Sequence, residues 1–75
     1  MIPHRIERTI AEISSGGKSA KRLTLTGWNG NPAKLDLRTW ITDESGRETP
    51  GRGITLTDEE AQALADALQA YLTGD

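Results

Sequence analysis

An α+β domain is predicted for this chain, a run of β-strands followed by one C-terminal helix. Three observations predict it. Residues 20–28 and 33–41 each alternate apolar and polar side chains with a period of two. The Asn29-Gly30-Asn31-Pro32 segment between them is a strong turn signal. Residues 57–74 carry both ends of an amphipathic helix.

The elements follow in chain order. Residues 4–14 read as a first strand, with Ile6 and Ile10 on one face. Ile13 falls out of phase, which suggests a bulge or a strand end. Ser-Gly-Gly-Lys-Ser-Ala then reads as a flexible loop. In residues 20–28, Leu23 and Leu25 point one way and Arg22, Thr24, Thr26 and Trp28 the other. Asn29-Gly30 tolerates positive φ, and Pro32 bars simple continuation of the ladder. In residues 33–41, Leu35, Leu37, Thr39 and Ile41 share a face, and Lys34, Asp36, Arg38 and Trp40 share the other. The stretch 42–53 reads as a long turn-rich loop, leaving a short fourth strand over 53–56. A helix is predicted over 58–72. Thr57 is its N-cap, with Glu60 completing a capping box. Asp58 and Glu59 complement the positive end of the helix. Ala61, Leu64, Ala65, Leu68 and Leu72 form one apolar stripe, and Gly74 ends the helix. The stripe is expected to lie on the leucine face of the sheet.

Seventy-five residues make one small domain, spanning 1–75. A chain of this size buries only about 60% of the surface it exposes when unfolded. It has no cysteine and a single histidine, so neither disulfides nor a structural zinc are expected to staple it. Oligomerisation is the common alternative. Met1 to Ile10 hold no uninterrupted apolar run, so no secretory signal is expected. Nothing approaches the roughly 18 apolar residues of a membrane span. The absence of cysteine fits a reducing, cytoplasmic setting.

The net charge of −2 conceals an asymmetry. Residues 1–53 carry all nine Lys and Arg against six acids, a local net of +3, and residues 54–75 carry five acids and no base. A basic front and an acidic back is a hint of a nucleic-acid or membrane surface. Three of those five acids also serve the helix N-terminus.

Both tryptophans, Trp28 and Trp40, fall on the face opposite the leucines, among Thr24, Thr26, Lys34 and Arg38. Two readings are open. Exposed rings among cations hold nucleobases, with stacking worth about 1–3 kcal/mol per base. Alternatively, the rings cover a second small core under the first strand or a partner subunit.

The residues RLTLTGWNG, AKLDLRTW and DESGRETPGRGITLTDEEAQAL resemble the single-stranded-DNA-binding domain of the positive cofactor four family of transcriptional coactivators. They are most similar to its small bacterial branch, the YdbC-like proteins. Trp28 at the end of a strand, the Asp36–Trp40 strand, and Pro-Gly-Arg-Gly-Ile-Thr-Leu-Thr leading into an acid-capped helix carry the resemblance. It implies a curved four-stranded antiparallel sheet with a C-terminal helix, and a homodimer formed through the helices, here Leu64, Leu68 and Leu72. It implies stacking by Trp28, with Trp40 at an aromatic position of the next strand. Basic groove residues would be Lys21, Arg22, Arg38 and Arg52. Lys34 shares the tryptophan face with Thr24 and Thr26. Lys18 sits in a loop that can carry it to a phosphate, and Asn29 and Asn31 stand where the family has basic residues in the hairpin. The chain departs from eukaryotic members in lacking the lysine between Arg52 and Gly53, in having Thr49 where they have a lysine, and in lacking a serine-rich tail.

Other constellations are weaker. His4, Glu7 and Asp36 lack a nucleophile or oxyanion donor at diagnostic spacing, and His4 reads as a solvated residue near the terminus. Asp43, Glu44 and Glu48 lack the spacing of a calcium loop. Ser-Ser-Gly-Gly-Lys-Ser lacks the spacing and strand–helix context of a phosphate loop. The expected function is sequence-tolerant binding of single-stranded DNA in transcription, replication or repair, without enzymatic activity, metal or cofactor, and in the nucleoid if the source is bacterial. A protein-interaction module using Trp28 and Trp40, which the acidic balance favours, and an RNA-binding protein are the alternatives.

Overall fold

The computed structural model describes residues 3–74. Four strands, β1 (His4–Gly16), β2 (Ser19–Trp28), β3 (Lys34–Thr42) and β4 (Glu48–Leu56), form one antiparallel sheet in sequence order, followed by α1 (Asp58–Thr73). The fold is an α+β meander with one C-terminal helix.

Each connection has a local cause. Between β2 and β3, Asn29 and Gly30 take φ of 56° and 81°, and the Asn31 amide donates to the Trp28 carbonyl at 2.9 Å. Positive φ at both residues matches the twist of the flanking strands. Between β3 and β4, one Asp43 carboxylate oxygen accepts from the Ser45 amide, the Ser45 hydroxyl and the Arg47 amide at 2.6–3.0 Å. These bonds hold its pKa below the ordinary carboxylate value, with the Ser45 hydroxyl the largest cause. The Thr57–Glu60 capping box is formed in both directions, and Gly74, at φ 86°, closes the helix C-terminus.

β4 is longer than its sequence suggests. It begins at Glu48, so most of the expected 42–53 loop is strand, and Pro-Gly-Arg-Gly is not a turn. Two features reconcile these breakers with a ladder. β4 is an edge strand, where a proline without an N–H is tolerated. A bulge also sets Gly51 and Arg52 against Thr39 alone, since Arg38 pairs with Gly53 and Trp40 with Pro50.

β1 is bulged three times. Its 13 residues pair with the 10 of β2, leaving Glu7, Ile10 and Ile13 as surplus residues at the three register shifts. Each surplus residue breaks the period of two, which explains the drifting phase of the isoleucines. Ile6, Ile10 and Ile13 are all exposed.

The best-buried residues lie on the tryptophan face, not on the leucine face. Trp40 is 1% exposed, and Thr24, Thr26 and Asp36 are fully buried. The sheet is curled to achieve this. Trp40 pairs with Ala20, eight residues along β2 from Trp28. An extended strand of that length spans about 26 Å, yet the two indole centroids are 6.4 Å apart. The strands bend and the two long side chains reach towards each other, closing over the threonines. On the other face α1 leaves Leu23, Leu25, Leu35 and Leu37 only half-buried, and the helix itself has no buried residue.

Candidate nucleic-acid interface

Alternation places Trp28, Asp36, Arg38 and Trp40 on one face, and the curl brings them into contact. Both oxygens of Asp36 are engaged. Oδ1 accepts from Arg38 Nε at 2.8 Å, and Oδ2 accepts from Arg38 Nη2 at 2.8 Å and from Trp28 Nε1 at 3.0 Å. Arg38 Nη1 donates to the Gly51 carbonyl at 2.9 Å, tying the unit to the β4 bulge. The Arg38 guanidinium carbon lies 4.5 Å from the centroid of the Trp28 ring, a cation–π placement. Trp28 and Trp40 are nearly parallel, at 12°. His4 completes a triangle of rings, 5.3 Å from each tryptophan. Beneath them the Thr24 and Thr26 hydroxyls bond to each other at 2.7 Å. Among the described residues, Trp40 Nε1 is buried with no hydrogen-bond partner.

The expectation of an exposed tryptophan pair is therefore corrected. Trp28 remains half-buried and Trp40 is interior. The open alternative of a second small core is the arrangement found, closed by curling rather than by the body of β1. Thr24 and Thr26 are interior as well. His4 is not a solvated terminal residue but a half-buried ring.

The basic residues predicted for the interface separate into three groups. Arg22 and Arg38 are committed to carboxylates. Arg22 bridges Glu48, through Nη2 at 2.8 Å, and Glu12, through Nε at 3.4 Å. The hydrogen bond to Glu48 raises the Arg22 pKa and holds that of Glu48 below the ordinary range. Lys34 is exposed beside Trp28, where Thr26, Trp28, Asn31, Pro32, Lys34 and Thr55 line a cleft of about 150 Å³. Asn29 is exposed at the adjacent turn, its amide donating to the Pro3 carbonyl at 2.7 Å, and Arg52 is exposed on the bulge. Lys18 and Lys21 lie at the β1–β2 hairpin end. Lys21 pairs with Thr39 on the leucine face and lines a cleft of about 380 Å³ with Ser14, Ser15 and Ser19. The structure does not bring these two lysines to Trp28.

On the leucine face, Leu23, Leu35 and Leu56 of the sheet and Ala61, Leu64, Ala65 and Leu68 of α1 line an apolar groove of about 170 Å³. Leu68 is 50%, Leu72 76% and Tyr71 79% exposed.

Sequence reasoning missed Asp36 as the hub of the site. A signal was present, since Asp36 is the one acid on β3 and falls in phase between Trp28, Arg38 and Trp40. Among the described residues no group of His, Cys, Asp or Glu could hold a metal ion, and no helix is long and apolar enough to cross a membrane.

The structure is thus a four-stranded antiparallel meander with one C-terminal helix, and it gathers Trp28, Trp40, Arg38 and Asp36 on one strand face. The family model described as Transcriptional Coactivator p15 (PC4) matches residues 17–67, covering β2, β3, β4 and the first part of α1. The chain is also 35% identical over 68 residues to an uncharacterized protein of Treponema pallidum (strain Nichols), an alignment covering 89% of this chain and 76% of that protein. This chain belongs to the transcriptional coactivator p15 (PC4) family.

Proposed function

We propose that this protein binds single-stranded DNA with little sequence preference and acts as a transcriptional regulator or as an accessory in replication or repair. It is a binding protein, not an enzyme. The observation that carries the reading is the aromatic–cationic face of the sheet, on a chain of a coactivator family. Trp28 is still partly accessible there, with Lys34 lining the adjoining cleft. Lys34 and Arg52 supply phosphate contacts, with Asn29 beside them. Lys18 and Lys21 lie apart from this cleft at the β1–β2 hairpin end, Lys21 on the leucine face, and would meet only a strand that runs on beyond it. Arg22 serves chiefly as a clasp between Glu12 and Glu48.

The reading includes a homodimer assembled through α1. A helix with no buried residue, above a sheet whose leucines are half covered, is an incomplete core. Leu64, Leu68 and Leu72 of a second copy would complete it.

Titration with oligothymidine, followed by tryptophan fluorescence, tests the proposal beside duplex DNA and RNA of the same length. Tight binding to the single strand and weak binding to duplex are expected, because duplex bases already stack on one another. Equal binding to duplex would defeat the stacking mechanism, and preference for RNA would reassign the substrate.

A further inference from the structure

We propose that Asp36 is the positioning residue of this site, holding Trp28 and Arg38 as one preassembled stack and withholding Arg38 from the phosphate backbone. The proposal rests on the single-stranded-DNA reading above.

Asp36 is fully buried. A carboxylate in that position is costly unless its oxygens are satisfied. Here three donors converge on it, two from Arg38 and one from Trp28. The bond to Nε1 fixes the rotation of the indole, and the two-pronged pair with Arg38 fixes the plane of the guanidinium that lies over that ring. A guanidinium has five N–H donors. Three are committed, to Asp36 and to the Gly51 carbonyl, and its charge is matched by a carboxylate on the same strand. What remains is the outer face of a guanidinium plane held over the indole, a surface on which bases stack. Its charge is already offset, so the unit selects bases over bare sugar-phosphate. A purely structural ion pair would hold the sheet together and leave that selectivity untouched.

The full-length chain and its Asp36→Asn variant decide between these roles. In the free protein, Asp36→Asn should weaken the near-ultraviolet dichroism of the indoles as Trp28 is released. With ligand, the released Arg38 should reach a phosphate, steepening the log–log salt dependence by about 0.7. The preference for oligothymidine over an abasic strand of equal length should fall about tenfold, the scale of one lost stacking contact. A folded Asp36→Asn protein with wild-type dichroism, salt slope and base preference overturns the proposal. If Asp36→Asn does not fold, the Asp36→Asn/Arg38→Gln double variant leaves no buried unpaired charge. It should keep the wild-type salt slope and lose base preference; a slope flattened by about 0.7 would show that Arg38 already met a phosphate, and overturns it. Should the wild type bind no single strand, the DNA reading fails, and the dichroism of the free protein still decides whether Asp36 orders Trp28.

Discussion

Gly53 faces Arg38 across the β3–β4 ladder so closely that a Cβ on the glycine would collide with the Cβ of the arginine and with the Leu37 carbonyl. The bulge thus brings β4 against β3 at the residue that carries the site's guanidinium. Gly53→Ala should destabilise the fold by about 1–3 kcal/mol, as overpacking typically does. Chemical denaturation measures it. An unchanged unfolding midpoint would mean that the two strands can separate at no cost.

The two tryptophans should separate under mutation. Trp28→Ala should leave the protein folded and cost about 1–3 kcal/mol of oligothymidine binding. Trp40→Ala empties an interior position and should cost about 3–5 kcal/mol of stability. Thermal melts beside fluorescence titrations resolve the two effects. Full affinity in a folded Trp28→Ala protein would place that ring outside the interface.

Salt dependence should sort the cations. Lys34→Ala and Arg52→Ala should each weaken binding and flatten the log–log slope by about 0.7, the loss of one phosphate contact on a single strand. Arg22→Ala should lower stability with little change in slope, because its charge is spent on Glu12 and Glu48. A flattened slope for Arg22→Ala would restore it to the phosphate-binding set.

Acid should loosen the Arg22 clasp. Glu48 has a folded-state pKa depressed below its ordinary value of 4.5 by the hydrogen bond from Arg22. A depressed carboxylate contributes stability that is complete above the unfolded value and lost as pH falls through the folded one. The melting temperature should therefore hold down to about pH 5 and then decline, and Glu48→Gln should blunt that decline. Parallel wild-type and Glu48→Gln curves would show that the pair contributes nothing, an outcome known for exposed ion pairs.

Leu68→Asp should yield a monomer or an unfolded chain, whereas the wild type should sediment as a dimer at micromolar concentration. Sedimentation velocity checks both. A stable wild-type monomer would mean that the uncovered stripe of α1 serves something other than a second copy.

How far the chain could be read in advance differed from element to element. The alternation of β2 and β3 and the Thr57–Glu60 box are local patterns, each imposed by strand period or helix-end geometry, and the architecture follows from them. β4 was obscured because Pro50, Gly51 and Gly53 are breakers in an interior strand, and nothing local says that a strand lies at an edge. At the site, alternation placed Trp28, Asp36, Arg38 and Trp40 on one face but could not show the curl. Curling joins Trp28, at the end of β2, to Trp40 of β3, which pairs with Ala20 near the start of β2, and draws in His4, a contact with no sequence spacing to announce it. The same closure buried Trp40, a ring expected at the surface, and left Trp28 half-buried.

The irregularities of the outer strands have a further effect. β1 and β4 are the two rims of an open sheet, and β1 shows solvent three isoleucines, Ile6, Ile10 and Ile13. A straight rim with such side chains would template the addition of foreign strands and start fibrous aggregates. Three insertions in β1 throw its amides and carbonyls out of step, and Pro50 with the Arg52 bulge does the same for β4. Neither rim offers an even row of hydrogen-bonding groups. Irregular rims of this kind disfavour the growth of an open-ended sheet into a filament.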